Sequence, residues 1–148
     1  MSKTNTWEAG LLNLLFNNVA FTLVGDAGGL LPSATAGSLY LSLHTSDPGE
    51  AGDQTTNEIA YTSYARAAVA RAAGGWTISG TAPTKVAPTG TVSWPAGTGG
   101  SGTATHVGIG TSSSGAGKLL YKGALTPNIV CGNGITPQIT TASEITED

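Results

Sequence analysis

The sequence predicts a mainly β protein, a jelly-roll-like antiparallel β-sandwich with one short N-terminal α-helix, and three observations carry that expectation. Short runs of alternating or β-branched residues recur at roughly the 8–12 residue spacing of sandwiches and barrels. Clusters of glycine and serine separate them, at Gly97-Thr-Gly-Gly-Ser-Gly102, Ser112-Ser-Ser-Gly-Ala-Gly117 and Cys131-Gly-Asn-Gly134. Beyond the N-terminal helix no helix-length segment lies between the runs, which argues against βαβ winding. A chain of 148 residues suits a single domain with a real core. The expected division is a helical arm over 1–20 and a β-sandwich over 21–148. No internal repeat can be aligned, which disfavours a propeller or solenoid.

The helix is read from Asn5 to Asn17. Trp7, Leu11, Leu14 and Leu15 fall on one face with Leu12 at its border, and Asn5, three residues before Glu8, resembles a capping box. Trp7, Leu11, Leu15 and Phe16 give this helix more apolar surface than it can leave in water. It therefore packs on its own sheet or on a neighbour, and these four residues are candidate subunit contacts.

After the turn-rich Gly25-Asp-Ala-Gly-Gly29, the pattern changes to period two. Leu39, Leu41 and Leu43 point one way and Tyr40, Ser42 and His44 the other, as in a strand with one buried face. Tyr61 to Arg71 is read as a strand, joined through Gly74-Gly75 to a second strand at Trp76-Thr77-Ile78. Further strands are expected at Thr91 to Trp94, Ala104 to Ile109, Leu119 to Tyr121, Asn128 to Val130 and Thr136 to Thr140. Trp76 and Trp94 are expected in a core rather than at a subunit interface.

Charge narrows the function classes. Six basic residues against nine acidic ones give a net charge of −3, and the cations are scattered, so no phosphate-binding stripe for nucleic acid is formed. The apolar stretch Leu11 to Phe16 is too short for a membrane span or a signal peptide, so the protein is expected to remain in the cytoplasm until it joins an assembly. Cys131 is the single cysteine and is expected to be a small buried apolar residue.

Motifs for chemistry fail one by one. Gly97, Gly99 and Gly102 match G-x-G-x-x-G, yet a strand follows where a dinucleotide site needs a helix. Gly117-Lys118 lacks the P-loop glycine, since Ser112 stands there, and the hydroxyl, since Leu119 does. His44 and His106 lie in separate strands. With Asp47, and Ser42 or Ser46 as nucleophile, an acid/base arrangement can be drawn, but neither G-x-S-x-G nor H-E-x-x-H occurs. A structural role for both histidines is the expectation, with no catalytic residue, metal or cofactor. The loop Asp47-Pro-Gly-Glu-Ala-Gly-Asp53 with Glu58 holds four of the nine carboxylates without the alternation of an EF-hand. A solvated turn is expected, with salt bridging across an interface as the other reading.

The stretch Leu39-Tyr-Leu-Ser-Leu-His-Thr-Ser-Asp-Pro-Gly-Glu-Ala-Gly52, with Asn57-Glu58 and Tyr64-Ala-Arg66, resembles a family of small virion proteins of tailed bacteriophages. The resemblance continues through Gly75-Trp76, Thr105 to Gly110, Ser114 to Gly117 and Gly134 to Pro137. It implies a virion component without an enzymatic site, assembled in the host bacterial cytoplasm. The first expectation is a capsid decoration, or cement, protein, a homo-oligomer (trimer or dimer) that bridges major capsid subunits and stabilises the shell by mass action. His44, Asp47, Glu50, Asp53 and Arg66 join the helix residues as candidate subunit or shell contacts. The alternative is a tail-fibre or tail-tip component in which Tyr40, Tyr61, Tyr64 and the Thr/Ser-rich loops face a host glycan. A third reading, from a different class, is a small polysaccharide hydrolase that uses the loop carboxylates.

Overall fold

The computed structural model describes residues 2–147. Its elements are α1 (Asn5–Asn17), β1 (Ser38–His44), β2 (Ala67–Ala70), β3 (Trp76–Ser79), β4 (Thr84–Pro88), β5 (Val92–Ser93), β6 (Ser101–Gly110), β7 (Leu119–Gly132), β8 (Gln138–Ile139) and β9 (Ile145–Glu147). They form sheets ordered β2-β1-β6-β7, β3-β4-β9 and β5-β8. The pairings β1–β6, β6–β7, β3–β4, β4–β9 and β5–β8 are all antiparallel. The β character and the single N-terminal helix agree with the sequence expectation. A jelly-roll topology is not shown by these strand orders among the described residues.

The chain divides into two compact units, one of Met1–Ser38, Val69–Thr91 and Thr140–Asp148, the other of Leu39–Ala68 and Val92–Ile139. In the first unit α1 packs on β3 and β4. Its N-cap is Thr4, one residue before the expected Asn5, and the Thr4 side chain accepts from the Trp7 N–H. The buried stripe is Glu8, Leu12 and Phe16, rotated from the expected Trp7, Leu11, Leu14 and Leu15. Phe16 stacks edge-on against Trp76 at 4.8 Å. Glu8 is drawn inward because Thr84 Oγ1 donates to its carboxylate at 3.0 Å, so no capping box forms.

No basic residue lies in the last turn of α1. Arg71 supplies the missing cation: its Nε donates to Leu15 O at 2.7 Å and its Nη2 to Leu14 O at 2.9 Å. These are carbonyls that the helix itself leaves without donors, and the guanidinium also complements the negative end of the helix dipole. Nη1 of the same side chain reaches Ala36 O at 3.1 Å, tying the segment before β1 to the helix.

In the second unit β1 is an inner strand, paired with β6 in the register Tyr40↔Gly110 to His44↔His106. That position explains why Ser42 and His44 are as buried as Leu41 and Leu43, whereas alternation alone places them in water. Trp94 lies in this core, and its Nε1 donates to Leu41 O at 3.1 Å. Trp76 is equally buried in the first unit.

Several expected strands are redistributed. Tyr61 to Arg71 forms a strand only at Ala67–Ala70, because Ser63 takes a left-handed φ of 77° and breaks the extended run. The hairpin expected across Gly74-Gly75 is not made, since β3 pairs with β4 instead. The runs at 119–121 and 128–130 are parts of one strand, β7. It is an edge strand of its sheet, and its register slips: Ala104 faces Ile129 while His106 faces Ala124, so four residues of β7, Leu125 to Asn128, oppose Thr105 alone. Strands β4 and β9, not expected from the sequence, complete the sheet on which α1 rests.

Candidate functional site

Two polar side chains of the second unit, Arg66 and Gln54, fix one surface loop, the connection from β6 to β7. Arg66 is the centre. Its side chain is 3% exposed and forks onto Glu58, Nε to Oε1 and Nη2 to Oε2, both at 2.7 Å. The remaining donors reach the loop, Nη1 to Ser112 O at 2.9 Å and Nη2 to Gly115 O at 2.8 Å. The carboxylate of Glu58 raises the guanidinium pKa still further, so the charge is permanent. Tyr64 closes the network: its hydroxyl donates to Glu58 Oε1 at 2.9 Å and accepts from the Leu43 N–H at 3.0 Å. Burial, reinforced by Glu58, pushes the phenol pKa far up, so the hydroxyl keeps its proton.

Gln54 holds the same loop from a second point. Its N–H donates to Ala116 O at 2.9 Å, its Oε1 accepts from the Ser112 N–H at 2.9 Å, and its Nε2 donates to Tyr40 O at 3.2 Å. The loop therefore has Ser112 O, Gly115 O and Ala116 O fixed from within, while Ser113 and Ser114 are exposed. A loop fixed in this way loses little conformational entropy when it meets a partner.

His44 and Ser42 lie beside this network. His44 Nδ1 is 2.8 Å from Thr56 O, and since a carbonyl only accepts, Nδ1 carries the proton. Nε2 then accepts from Ser42 Oγ at 2.8 Å. Burial lowers the imidazole pKa, opposed by the Thr56 carbonyl and Glu58, so the ring is held neutral. Both residues are fully buried, with no route for a substrate to Ser42 Oγ. A Cβ on Gly108 would lie 2.7 Å from His44 Nε2 and 2.9 Å from Ser42 Oγ, so β6 leaves a side chain out where the pair needs room.

The acidic residues stand apart from these interior groups. Asp47 and Glu50 share Lys122, at 3.1 and 3.0 Å. The Gly49 N–H, then Lys122, lowers the Asp47 pKa, while Glu50 and Asp47 raise that of Lys122. Asp53 Oδ1 accepts from the Thr55 hydroxyl at 2.6 Å and N–H at 2.8 Å, contacts that lower its pKa. No group of three or more metal-ligating side chains occurs among the described residues.

The structure thus brings Arg66 and His44 together in the interior, puts Asp47, Glu50 and Lys122 in one surface cluster, and turns Asp53 onto its own loop. In the first unit Trp7 is partly exposed, Leu11 and Leu15 are half-buried, and Phe16 is enclosed. Tyr61 and Tyr64, expected on a glycan-facing surface, point inward, with the Tyr61 hydroxyl donating to Pro95 O at 2.7 Å. Sequence reasoning missed Gln54, Arg71 and the role of Tyr64. A cation whose partners are backbone carbonyls leaves no charge pattern to read.

The family comparison assigns this antiparallel β scaffold to the class of structural proteins. Comparison with protein families identifies it further: the model of the family described as Podophage GP4 fiber I protein gp80 matches residues 2–146, and the chain belongs to that family. It is a non-enzymatic structural component of the virion of a tailed phage, a fibre protein. No curated protein matches the chain. The description of a fibre fits the tail-fibre reading better than capsid cement, and membership of a structural family sets aside the polysaccharide hydrolase.

Proposed function

We propose that the protein is a subunit of a tail fibre, held in the particle by contacts with other virion proteins, rather than a cement protein of the head. The single observation that carries this reading is the fibre family, matched over residues 2–146. The geometry supports it by offering a preformed surface. The loop from Thr111 to Lys118 is anchored by Arg66 and Gln54, and the Asp47, Glu50 and Lys122 cluster lies in the same unit. In this reading Arg66 and His44 are positioning residues, and Asp47, Glu50 and the exposed serines are the groups that meet a partner. Electron microscopy of intact particles carrying an antibody-bound gold label on this chain tests the assignment. Label on fibres, at a few to a few tens of copies per particle by quantitative mass spectrometry, is the expected result. Label spread over the head lattice would overturn it.

A further inference from the structure

Seven asparagines stand in the chain, and one of them, Asn133, is followed by glycine. In the other six the next residue carries a side chain, as in Asn5-Thr6, Asn57-Glu58 and Asn128-Ile129. The side-chain amides of Asn13, Asn18 and Asn57 are moreover tied to the carbonyls of Ala9, Ser33 and Asp47. Asn133 and Gly134 are exposed together at a turn in the second unit, and a Cβ on Gly134 would meet open space. An asparagine followed by glycine is the pair most prone to lose its side-chain amide. With no Cβ in the way, the glycine nitrogen can reach the side-chain carbon and close a cyclic imide.

The fold restrains that nitrogen. The Ile135 N–H donates to Gly132 O at 3.0 Å, closing a turn in which Gly134 takes a left-handed φ of 74°. The Gly134 N–H itself donates to Gly97 O at 2.8 Å, and the Gly97 N–H donates to Ile135 O at 3.0 Å. A further bond, from the Trp94 N–H to Pro137 O at 3.0 Å, extends this strip towards the core. Gly97 lies so close to the turn that a Cβ there would collide with Gly132 O. The attacking nitrogen is thus held on a carbonyl, while the Asn133 side chain it would attack is exposed.

We propose that Asn133 is a deamidation site whose conversion is gated by the hydrogen bond from Gly134 to Gly97. When that bond opens, the Gly134 nitrogen gives its proton to solvent and bonds to Asn133 Cγ. The Cγ–Nδ2 bond breaks, ammonia leaves, and the cyclic imide remains. Water then adds to either imide carbonyl, and the ring opens to aspartate or, with the main chain rerouted through Cγ, to isoaspartate. Isoaspartate lengthens the chain path inside the turn, so the turn no longer fits Gly97 and the strip that runs to Trp94 loosens. A virion component is not renewed once its particle has left the cell, so the change accumulates with the age of the particle.

The test ages the purified full chain in warm, mildly alkaline buffer, one sample folded and one in denaturing urea. Peptide mapping by mass spectrometry follows every asparagine until one has converted in each sample. Asn133 is expected to convert first in both, and about tenfold or more slowly in the folded chain, where local opening limits it. Gly97→Ala pushes the turn from its acceptor and should restore part of the lost rate, leaving the rate in urea unchanged. Should that variant fail to fold, urea below the unfolding transition replaces it, and conversion should rise before the circular dichroism of the folded chain changes. Another asparagine converting first in the folded chain overturns the site. Equal rates at Asn133 in the two samples, or a folded-state rate raised by neither Gly97→Ala nor low urea, overturn the gating. Aged chain enriched in isoaspartate should melt below fresh chain, and one that melts as before overturns the loosening. None of these outcomes depends on where in the particle the protein sits.

Discussion

Replacing Arg66 with alanine removes four hydrogen bonds at once, two to Glu58 and one each to Ser112 O and Gly115 O. Two part-buried loop carbonyls lose their donor, at about 1 kcal/mol each, and Glu58 loses its counter-charge and keeps the Tyr64 hydroxyl. Breaking a buried pair from one side costs about 3–5 kcal/mol. The Glu58 side chain is 16% exposed, so water recovers part of that and the lower half of the range applies. Taking about 3–4 kcal/mol for the whole change, the carbonyls included, the melting temperature of a chain of this length falls by roughly 6–16 °C. Arg66→Lys keeps the charge but not the fork, and should lose about half as much. Calorimetry measures the shift, and hydrogen exchange read on residues 112–117 shows where it acts, with loop amides exchanging faster than those of β1. A melting temperature within about 3 °C of wild type, or loop amides that exchange as before, would refute the argument that Arg66 anchors the loop.

Two further outcomes follow from the interior pair. The folded state holds His44 neutral while the unfolded chain protonates it below about pH 6.5, so stability falls as pH drops through that point by up to about 1.4 kcal/mol per unit. His44→Gln should flatten the curve between about pH 6.5 and 5, ahead of the acid loss from Asp47 and Asp53, which begins only below about pH 4; an unchanged slope in denaturant titrations would contradict the assignment. Gly108→Ala puts a methyl against His44, Ser42 and Leu119. It should destabilise by about 1–3 kcal/mol, visible as a lower melting temperature that His44→Ala in the same chain partly restores.

The parts of the fold legible in the sequence are those written in local pattern. Asn5 to Asn17 is helical from end to end as read, because apolar spacing and flanking polar residues bound it on both sides. The face it buries was not legible. A wide apolar stripe fits several rotations, and the choice fell to Phe21 on Gly10 and to Thr84, which draws Glu8 inward. Likewise Leu39 to His44 reads as a strand, but whether Ser42 and His44 meet water depends on β6 lying beside it, a pairing of residues more than sixty apart. Strand β4 escapes notice because Pro83 and Pro88 bracket Thr84 to Ala87 and read as strand breakers, and β9 because Ile145-Thr-Glu147 sits among the polar residues of the chain end. At the site, the acidic surface residues are visible as a charge cluster, whereas Gln54 and Arg71 work through backbone carbonyls that no side-chain pattern announces.

The slipped register of β7 bears on solubility. An edge strand offers a row of unsatisfied amides to any passing strand. Between Ala124 and Ile129 four residues bulge out opposite one. The bulge contains Pro127, which has no amide proton to lend, and Lys122 puts a charge on the stretch before it. What remains is two tracts, 119–124 and 129–132, out of step with each other. The interrupted register and Pro127 make this edge a poor template for an added strand.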